Sequence, residues 1–289
     1  MSAEVPGADD SAQVPSARAN RSAGAPRSPG APLLSIRDLV IEIRGRRLVD
    51  VAELSVARGQ IVGLVGESGA GKSLLLSSIL GLLPADATIR GSIGFDGLEL
   101  RGAPDPLLRS VRGQRIAVVL QAARAALTPT LLAGTWLERA LVLHRVPTEE
   151  RRSRIAHALG AVRLDPALLR RYPHQLSGGE AQRVAIALAV ALRAELILAD
   201  EATSALDVTV QAEVAELFRE LRVTEGASFL IVSHDLALMA GLADRIDIIA
   251  DGSIVERGGP EVLTNPQHQV TRELVAANPR LGRVRETAS

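Results

Sequence analysis

The sequence predicts an α/β protein whose core is a parallel β-sheet covered by helices on both faces. From residue 61 onward, short apolar runs of strand length alternate with stretches of helical pattern, which is typical of a parallel sheet. Before this core, the β-rich runs 34–43 and 47–56 predict an N-terminal antiparallel β subdomain. Between about residues 122 and 176 the chain is rich in Ala, Leu and Arg and helical in pattern, which predicts a helical subdomain inserted into the core.

The composition is that of a globular protein. Of the 289 residues, 47% are apolar and 23% are charged. The formal net charge of +0 argues against a protein that binds nucleic acid by bulk electrostatics. Because the chain contains no cysteine, disulfides, thiolate zinc sites and cysteine-ligated iron–sulfur clusters are excluded.

The two ends of the chain differ from its middle. Residues 1–32 are dominated by Ala, Ser, Pro and Gly and are interpreted as a disordered tail without a secretory signal. Residues 260–289 are expected to form a small C-terminal appendage of short helices. The longest apolar run, residues 184–199, is broken by Arg193 and Glu195 and falls short of the roughly 18 residues that span a bilayer. Membrane contact is therefore expected only through partner subunits.

A glycine-rich stretch follows the apolar run 61–65 and fits the phosphate-loop pattern G-x-x-x-x-G-K-[ST]. Its backbone N–H groups and the start of the next helix would form a nest for phosphate oxygens. Lys72 is the only lysine among 33 basic residues, and its compact ammonium suits the β- and γ-phosphates better than a forked guanidinium. The hydroxyl of Ser73 would bind Mg²⁺. The predicted nucleotide-binding residues are Gly66, Glu67, Ser68, Gly69, Ala70, Gly71, Lys72 and Ser73.

The elements after the phosphate loop follow from pattern and from turn residues. A helix is predicted over 73–80 because Pro84 follows it, and a β segment over 87–100 contains an Asp-Gly turn at residues 96–97. The β-branched and apolar run 116–120 predicts a buried parallel strand. Beyond the helical insertion, helices are predicted over 181–192, 208–221 and 236–242, and strands over 196–199, 229–232 and 246–250.

Two carboxylates end the apolar strand at 196–199. Asp200 at the strand end could hold Mg²⁺, and Glu201 could orient or deprotonate an attacking water. The alternative is a strand whose terminal acids are merely solvated. The phosphate loop upstream favours the functional interpretation.

A second glycine-rich helix start lies at residues 176–180, where Ser177, Gly178 and Gly179 precede Glu180. Such a start provides a second set of free N–H donors for an anion. One nucleotide needs one cradle, so the economical explanation is that this start caps a nucleotide held by a different chain. A plain helix cap without a ligand is the alternative.

Taken in order, these motifs resemble the nucleotide-binding subunit of an ATP-binding cassette (ABC) transporter. The resemblance runs from about residue 33 to 281 and implies a P-loop NTPase (RecA-like) domain over residues 33–259. It implies a head-to-tail dimer that holds two ATP molecules, each between the phosphate loop of one subunit and the Ser-Gly-Gly motif of the other. The motifs that carry it are the phosphate loop, Gln121, residues 176–180, Asp200-Glu201, residues 204–207 and His234.

The resemblance also implies roles for single residues, with ATP and Mg²⁺ as the bound groups. Gln121 is similar to the residue that touches Mg²⁺ and the attacking water, and His234 to the histidine that senses the γ-phosphate. Asp207 is similar to the residue that contacts the opposite subunit. The implied catalytic residues are Glu201, His234 and Gln121; the implied metal ligands are Ser73, Gln121 and Asp200; the implied second face comprises Ser177, Gly178, Gly179 and Asp207.

Finer features are similar to the oligopeptide, dipeptide and nickel importer group. They are residues 172–175, residues 208–211 and the tail 265–272, where Gln269 and Val270 replace the usual Pro-Tyr. The resemblance implies uptake of peptide, nickel or a metal chelate, with the chain held peripherally at the cytoplasmic face of the cell membrane. The implied partners are a second ATPase subunit, the same or paralogous, two transmembrane permease subunits and a substrate-binding protein. A soluble ABC-type ATPase that is not coupled to a transporter is the alternative.

Two positions depart from the family or stay open. The family usually stacks adenine on an aromatic residue where this chain has Ile43, and no aromatic residue occurs between Met1 and Lys72. The hypothesis is weaker or less base-selective binding with hydrolysis intact. Trp136, the only tryptophan, follows Gln121 and either docks a membrane subunit or packs inside the helical subdomain.

Overall fold

The computed structural model describes residues 31–202 and 207–278. The predicted α/β fold is confirmed, since a parallel sheet forms the core, an antiparallel sheet precedes it, and a helical segment is inserted between two core strands. The predicted tail up to residue 30, residues 204–206 of the motif at 204–207, and the appendage beyond residue 278 lie outside the described residues. Within the described ranges, no helix has the length and apolar character needed to cross a membrane.

The strands of the described ranges are short runs of β-branched and apolar residues. They are β1 (Leu34–Ile43), β2 (Arg46–Val56), β3 (Ile61–Val65), β4 (Ala87–Phe95), β5 (Leu98–Glu99), β6 (Ile116–Leu120), β7 (Leu196–Asp200), β8 (Ser228–Ser233), β9 (Arg245–Ala250) and β10 (Ser253–Gly258).

The α-helices of the same ranges flank the sheets or form the insertion. They are α1 (Lys72–Ile79), α2 (Asp105–Val111), α3 (Ala123–Ala126), α4 (Ala133–Leu143), α5 (Thr148–Ala161), α6 (Gly178–Leu192), α7 (Val208–Thr224), α8 (Leu236–Leu242) and α9 (Gln269–Ala276). Short 3₁₀ helices lie at Pro166–Arg170, Pro173–Gln175 and Pro260–Leu263.

The strands form two sheets. The core sheet has the order β10-β9-β3-β8-β7-β6, in which β10 alone is antiparallel to its neighbour. The second sheet is antiparallel and has the order β2-β1-β4-β5. Because β3 is an inner strand of the core sheet, the loop that follows it lies near the middle of the sheet, at the carboxyl-terminal ends of the parallel strands.

Alternate residues of the core strands enter two different hydrophobic clusters, because successive side chains of a strand point to opposite faces. Val62 and Leu64 of β3 belong to the cluster that contains the antiparallel sheet and α1. Ile61 and Val65 belong to the cluster that contains α4 to α8. The core sheet is therefore buried on both faces, which explains its nearly continuous apolar strands.

A ring of four charged residues joins the two sheets. Arg58 donates to Asp96 at 2.5 Å and to Glu195 at 2.7 Å, while Arg115 donates to the same two carboxylates at 2.5 and 2.6 Å. Burial acts to raise the pKa of Asp96 and of Glu195, but the two guanidinium groups outweigh it and hold both values below the ordinary range. The ring fixes the antiparallel sheet against the strands that carry the site.

The structure differs from the predicted elements at several places. Helix α6 begins at Gly178 and not near Ala181, because Ser177 and Glu180 form a capping box. Helix α2 and strand β10 were not predicted, although the Asp251-Gly252 turn before β10, with positive φ at both residues, is a common hairpin signal.

Trp136 is partly buried and packs against the cluster of the inserted helices. This position corresponds to the packing alternative for Trp136. The boundaries predicted at residues 33, 122, 176 and 259 for the domains and the insertion stay predictions.

Candidate functional site

The predicted phosphate loop, Gln121, Glu201 and His234 directly follow the carboxyl-terminal ends of β3, β6, β7 and β8, respectively. They therefore lie at the same end of the parallel core sheet, which we call the site edge. In the register of the sheet, Asp200 lies beside Leu120 on one side and beside Val232 on the other. Val65 lies beside Ser233 in the same way. Since the carboxyl ends of parallel strands meet at one edge, the residue that follows each of these strands is presented there. Gln121 itself is exposed at the end of β6.

Lys72 lies inside the phosphate loop. Its Nζ donates to the carbonyl oxygen of Gly66 at 2.8 Å and to that of Glu67 at 2.7 Å, and only 6% of the residue is exposed. Burial lowers the pKa of the Lys72 ammonium, while the nearby charges of Glu201 and Asp200 act in the opposite direction. The ammonium is thus held at the start of α1, where the helix dipole and free N–H groups also favour an anion.

Two glycines of the loop are required by close backbone contacts. A Cβ atom on Gly66 would lie 2.1 Å from the carbonyl oxygen of Ile249, a distance that no side chain can adopt. Gly71 has a φ of 95°, and a Cβ atom there would lie 2.9 Å from the carbonyl oxygen of Leu48. Between them Glu67, Ser68 and Gly69 form an exposed crest, followed by buried Ala70.

A hydroxyl and a carboxylate meet beside the loop. Ser73 donates from Oγ to Oδ1 of Asp200 at 3.3 Å. Burial raises the pKa of Asp200 above its ordinary value, and the charge of Glu201 acts in the same direction. Hard oxygen donors of this kind suit Mg²⁺, which is commonly bound by one or two protein oxygens together with substrate phosphates. The residues present therefore fit a Mg²⁺–nucleotide complex.

Glu201 and His234 lie next to each other at the same edge. The distance between His234 Nδ1 and Glu201 Oε1 is 3.7 Å, and the two side chains are 62% and 27% exposed. Glu201 has a φ of 47°, a left-handed conformation that is uncommon for a residue with a side chain, and its N–H donates to the carbonyl oxygen of Val232 at 3.0 Å. The bond to β8 holds this backbone in place.

The residues on either side of His234 fix its loop, which the sequence analysis did not foresee. The N–H of Asp235 donates to Oγ of Ser233 at 2.9 Å, and Oδ1 of Asp235 accepts from the N–H of Leu238 at 3.0 Å. Asp235 therefore caps α8, and His234 is held between a strand end and a helix start. A Ser-x-Asp spacing around a candidate histidine would have been a usable signal.

The second glycine-rich start is built differently. Oγ of Ser177 accepts from the N–H of Glu180 at 3.1 Å, and the N–H of Ser177 donates to the Glu180 carboxylate at 2.6 Å. Ser177 and Gly178 are exposed. The capping box stabilises this helix start without a ligand, and the other first-turn N–H groups have no acceptor within the helix.

Asp207 lies close to this second start. Asp207 is the N-cap of α7, and its Oδ1 accepts from the N–H of Val210 at 3.0 Å. A Cβ atom on Gly179 would lie 2.9 Å from Cγ1 of Val210, so the starts of α6 and α7 are in contact. The sequence alone did not show that Ser177, Gly178, Gly179 and Asp207 gather in one place.

A glycine-rich loop with a buried lysine, next to Ser73, Asp200, Glu201 and His234 at one sheet edge, defines a nucleotide-binding protein of the P-loop class. The profile of the family described as ABC transporter matches residues 49–204. The chain belongs to the ABC transporter family, the ATP-binding domain of which hydrolyses ATP.

Curated proteins that are similar to this chain are named as transport ATP-binding proteins. The chain is 42% identical over 259 residues to the peptidoglycan transport ATP-binding protein YejF of Agrobacterium fabrum, covering 86% of this chain and 47% of that protein. It is 38% identical over 232 residues to the oligopeptide transport ATP-binding protein OppD of Lactococcus lactis subsp. cremoris, covering 78% of this chain and 69% of that protein. The chain thus spans about half the length of the first relative.

Solved structures show the same fold. A dimeric ATP-binding cassette in a post-hydrolysis state with ADP and phosphate matches with a TM-score of 0.69 and 29% identity, over 78% of this chain and 98% of that chain. A second match is CbiO1 from Clostridium perfringens, which is part of the ABC transporter complex CbiONQ; it has a TM-score of 0.73 but only 24% identity, over 88% of this chain and 99% of that chain. The latter likeness supports the fold alone.

Proposed function

We propose that this chain is the ATP-hydrolysing subunit of an ABC importer and that it drives peptide uptake through partner membrane subunits. The observation that carries the proposal is the placement of Lys72, the Ser73–Asp200 pair and the Glu201–His234 pair around one sheet edge. Phosphoryl transfer needs mainly positioning and charge stabilisation, and this arrangement supplies both.

Each residue of the edge has a defined task in the proposed reaction. Lys72 and the loop N–H groups hold the β- and γ-phosphates, and Ser73 and Asp200 hold the cation that accompanies them. Bound Mg²⁺ would neutralise charge that develops on the phosphate oxygens. Glu201 accepts a proton from the attacking water, and His234 donates a hydrogen bond towards the γ-phosphate. Gln121, at the end of β6, would complete the water and Mg²⁺ contacts.

The proposed reaction takes place in a head-to-tail dimer. Two touching helix starts hold exposed Ser177, Gly178 and Asp207 together with half-buried Gly179. In the proposal this group covers the nucleotide that a second ATPase subunit, the same or a paralogous one, holds in its own phosphate loop. A related cassette has been solved as a dimer, which supports this arrangement.

The proposed cargo and partners are inferred from the names of the related proteins. OppD is an oligopeptide transport ATP-binding protein and YejF a peptidoglycan transport ATP-binding protein, so we propose a peptide or peptide-containing cargo. Nickel or a metal chelate is the alternative cargo, but the names of these relatives refer to peptides or peptidoglycan. The proposed assembly contains two transmembrane permease subunits and a substrate-binding protein, with this chain held peripherally at the cytoplasmic face of the membrane and not bound to nucleic acid.

The sharpest test replaces Glu201 by Gln. The Glu201→Gln chain should still bind Mg²⁺-ATP and should form an ATP-dependent dimer, while the rate of phosphate release falls on the order of 100-fold or more. ATP binding is measured by calorimetry, dimer formation by light scattering, and turnover by phosphate release. Turnover close to that of the unmodified chain would refute the proposed role of Glu201.

A soluble ABC-type ATPase is the second candidate function. Affinity purification distinguishes it from an importer subunit. If the chain serves an importer, affinity purification from detergent-solubilised membranes should recover permease subunits in stoichiometric amount. Recovery of the chain without membrane proteins, at the same expression level, would favour the soluble alternative.

A further inference from the structure

The second face (Ser177, Gly178, Gly179 and Asp207) is divided between the starts of two helices that belong to different parts of the chain. Helix α6 follows the inserted helices α4 and α5, whereas α7 comes after strand β7 and Glu201 of the site edge. The four residues therefore keep one arrangement only if α6 is held against α7.

Two successive turns of α6 and α7 lie against each other. In the first turn, a Cβ atom on Gly179 would lie 2.9 Å from Cγ1 of Val210. In the next turn, Arg183 donates from Nη2 to Oε2 of Glu213 at 2.7 Å. Because Arg183 follows Gly179 along α6 as Glu213 follows Val210 along α7, the two helices leave their starts side by side in the same direction.

Arg183 also joins the end of α5 to this helix pair. Its Nη1 donates to the carbonyl oxygen of Val162, the C-cap residue of α5, at 3.1 Å, and only 13% of the side chain is exposed. A guanidinium is a planar fork that donates in several directions at once, and a helix C-terminus attracts a cation. One side chain thus ties α5, α6 and α7 together one turn behind the second face.

Two other ion pairs connect α7 to the inserted helices, but they lie farther along α7. Arg163 pairs with Glu220, and His157 lies 2.9 Å from Glu225 between Nε2 and Oε1. The side chains of Arg163 and His157 are 57% and 61% exposed, and exposed pairs contribute little to stability. Of the three pairs, the one made by Arg183 is the most shielded and the nearest to the second face.

We propose that Arg183 and Glu213 are positioning residues, which fix the second face in the arrangement that covers the nucleotide of the partner subunit. The proposal rests on the proposed function, because it assumes the head-to-tail dimer. Neither side chain belongs to the second face, so both act through the relative position of α6 and α7. A surface that is fixed before two subunits meet does not have to be ordered when they associate, which lowers the cost of closure.

The experiment uses the full-length Glu201→Gln chain, which is expected to form an ATP-dependent dimer. Light scattering gives the Mg²⁺-ATP concentration at which half of the chain is dimeric. Adding Arg183→Ala should raise this concentration about tenfold, because the hold on the second face is lost. The affinity of the single chain for Mg²⁺-ATP, measured at protein concentrations too low for dimer formation, should stay unchanged, because the phosphate loop is intact.

Two further variants distinguish positioning from a general loss of stability. Glu213→Gln changes a half-exposed side chain and should weaken the dimer in the same way, so it provides the test if Arg183→Ala does not fold. Arg163→Ala is the matched control, since it removes an ion pair between α7 and the inserted helices farther from the second face. It should leave the dimer unchanged, and a loss as large as that of Arg183→Ala would overturn the proposal.

A double variant tests whether the two residues act as one unit. Arg183→Ala combined with Glu213→Ala should dimerise no more weakly than Arg183→Ala alone, because the same contact is removed. Additive losses would mean that Arg183 contacts the partner subunit directly, and an unchanged dimer in Arg183→Ala would also overturn the proposal. If the Glu201→Gln chain forms no ATP-dependent dimer at all, the proposed function is refuted and the positioning role falls with it.

Discussion

The chain contains two glycine-rich helix starts, and they are completed in opposite ways. Helix α1 begins after Gly71, which has a φ of 95° and no side chain to cap the helix. Helix α6 begins after Ser177, which is capped reciprocally with Glu180. The first start encloses a buried ammonium, whereas the second is exposed and satisfied by its own side chains.

In the proposed dimer, this difference would let one chain hold a ligand at one helix start and present the other start to a partner subunit. A start without a side-chain cap leaves N–H groups for phosphate, and Lys72 adds charge at the same point. A helix start with a capping box is stabilised by its own side chains, so it can be exposed on the surface without destabilising the fold. Substitutions at the two starts should therefore have separable effects on binding and on stability.

The largest expected effect is at Lys72. Replacing Lys72 by Ala should lower the affinity for Mg²⁺-ATP on the order of 100-fold, or about 3 kcal/mol, because a charge-assisted contact to phosphate is lost. Lys72→Arg should fail as well, since a forked guanidinium does not fit the position of the ammonium between two carbonyl oxygens. Calorimetry measures both, with Arg139→Ala as a control on an exposed arginine. An Arg variant that binds as well as the unmodified chain would contradict the prediction.

The next largest effect is a difference in stability between substitutions of Gly66 and Gly179, one glycine from each glycine-rich stretch. Gly66→Ala should reduce the free energy of unfolding by about 2–3 kcal/mol, because the new Cβ meets the carbonyl oxygen of Ile249 at 2.1 Å and the backbone must shift. Gly179→Ala should cost less, since its Cβ meets only the movable side chain of Val210. Urea unfolding curves measure both values. Equal destabilisation by the two variants would show that the contact at Gly66 is relieved more easily than its geometry indicates.

A smaller effect is expected when the serine of each start is replaced. Ser177→Ala should lower stability by about 1 kcal/mol, because the cap of α6 is lost, and should leave ATP binding by a single chain unchanged. Ser73→Ala should do the reverse, weakening Mg²⁺-ATP binding with little loss of stability. Thermal unfolding and calorimetry on both variants give the comparison. Weaker ATP binding by monomeric Ser177→Ala would contradict the division between the two starts.

The smallest effect concerns the charge beside the first start. The folded-state pKa of Asp200 lies above its ordinary value of 3.8 because of burial, so its ionised form is disfavoured by folding. This cost is absent below the ordinary pKa and fully present above the raised one. Asp200→Asn should therefore raise the melting temperature at pH 7, on the order of 1–3 °C, and the gain should disappear below about pH 4.

Asp96→Asn is the matched control of opposite sign. The guanidinium groups of Arg115 and Arg58 hold the pKa of Asp96 below its ordinary value, so its contribution to stability is present above that value and is lost as the pH falls through the lowered one. Asp96→Asn should thus destabilise the chain at pH 7 and have little effect in acid. Melting curves between about pH 3 and about pH 8 test both variants, and a gain of stability from Asp96→Asn at neutral pH would be inconsistent with the ring of charges.

Several features of the fold could be read from the sequence because they depend on local pattern. The run at 61–65 is apolar at every position, which is expected of a strand buried on both faces, and the glycines at 66, 69 and 71 mark a tight loop after it. Strands and helices alternate after residue 176, and this local pattern predicts the parallel sheet. The start of α6 was placed three residues late, because a capping box extends a helix through glycines that propensity alone would exclude.

The sequence by itself determined which residues are candidates for the chemistry: a single lysine after a glycine-rich loop, two acids at a strand end, and a serine with two glycines before a helix. Only the tertiary structure decided which of them meet. The contact of Ser73 with Asp200 and that of Gly179 with Val210 join residues far apart in the chain. Sequence patterns report the local preferences of the backbone, whereas these contacts depend on strand order and register, which are set by the packing of the whole core.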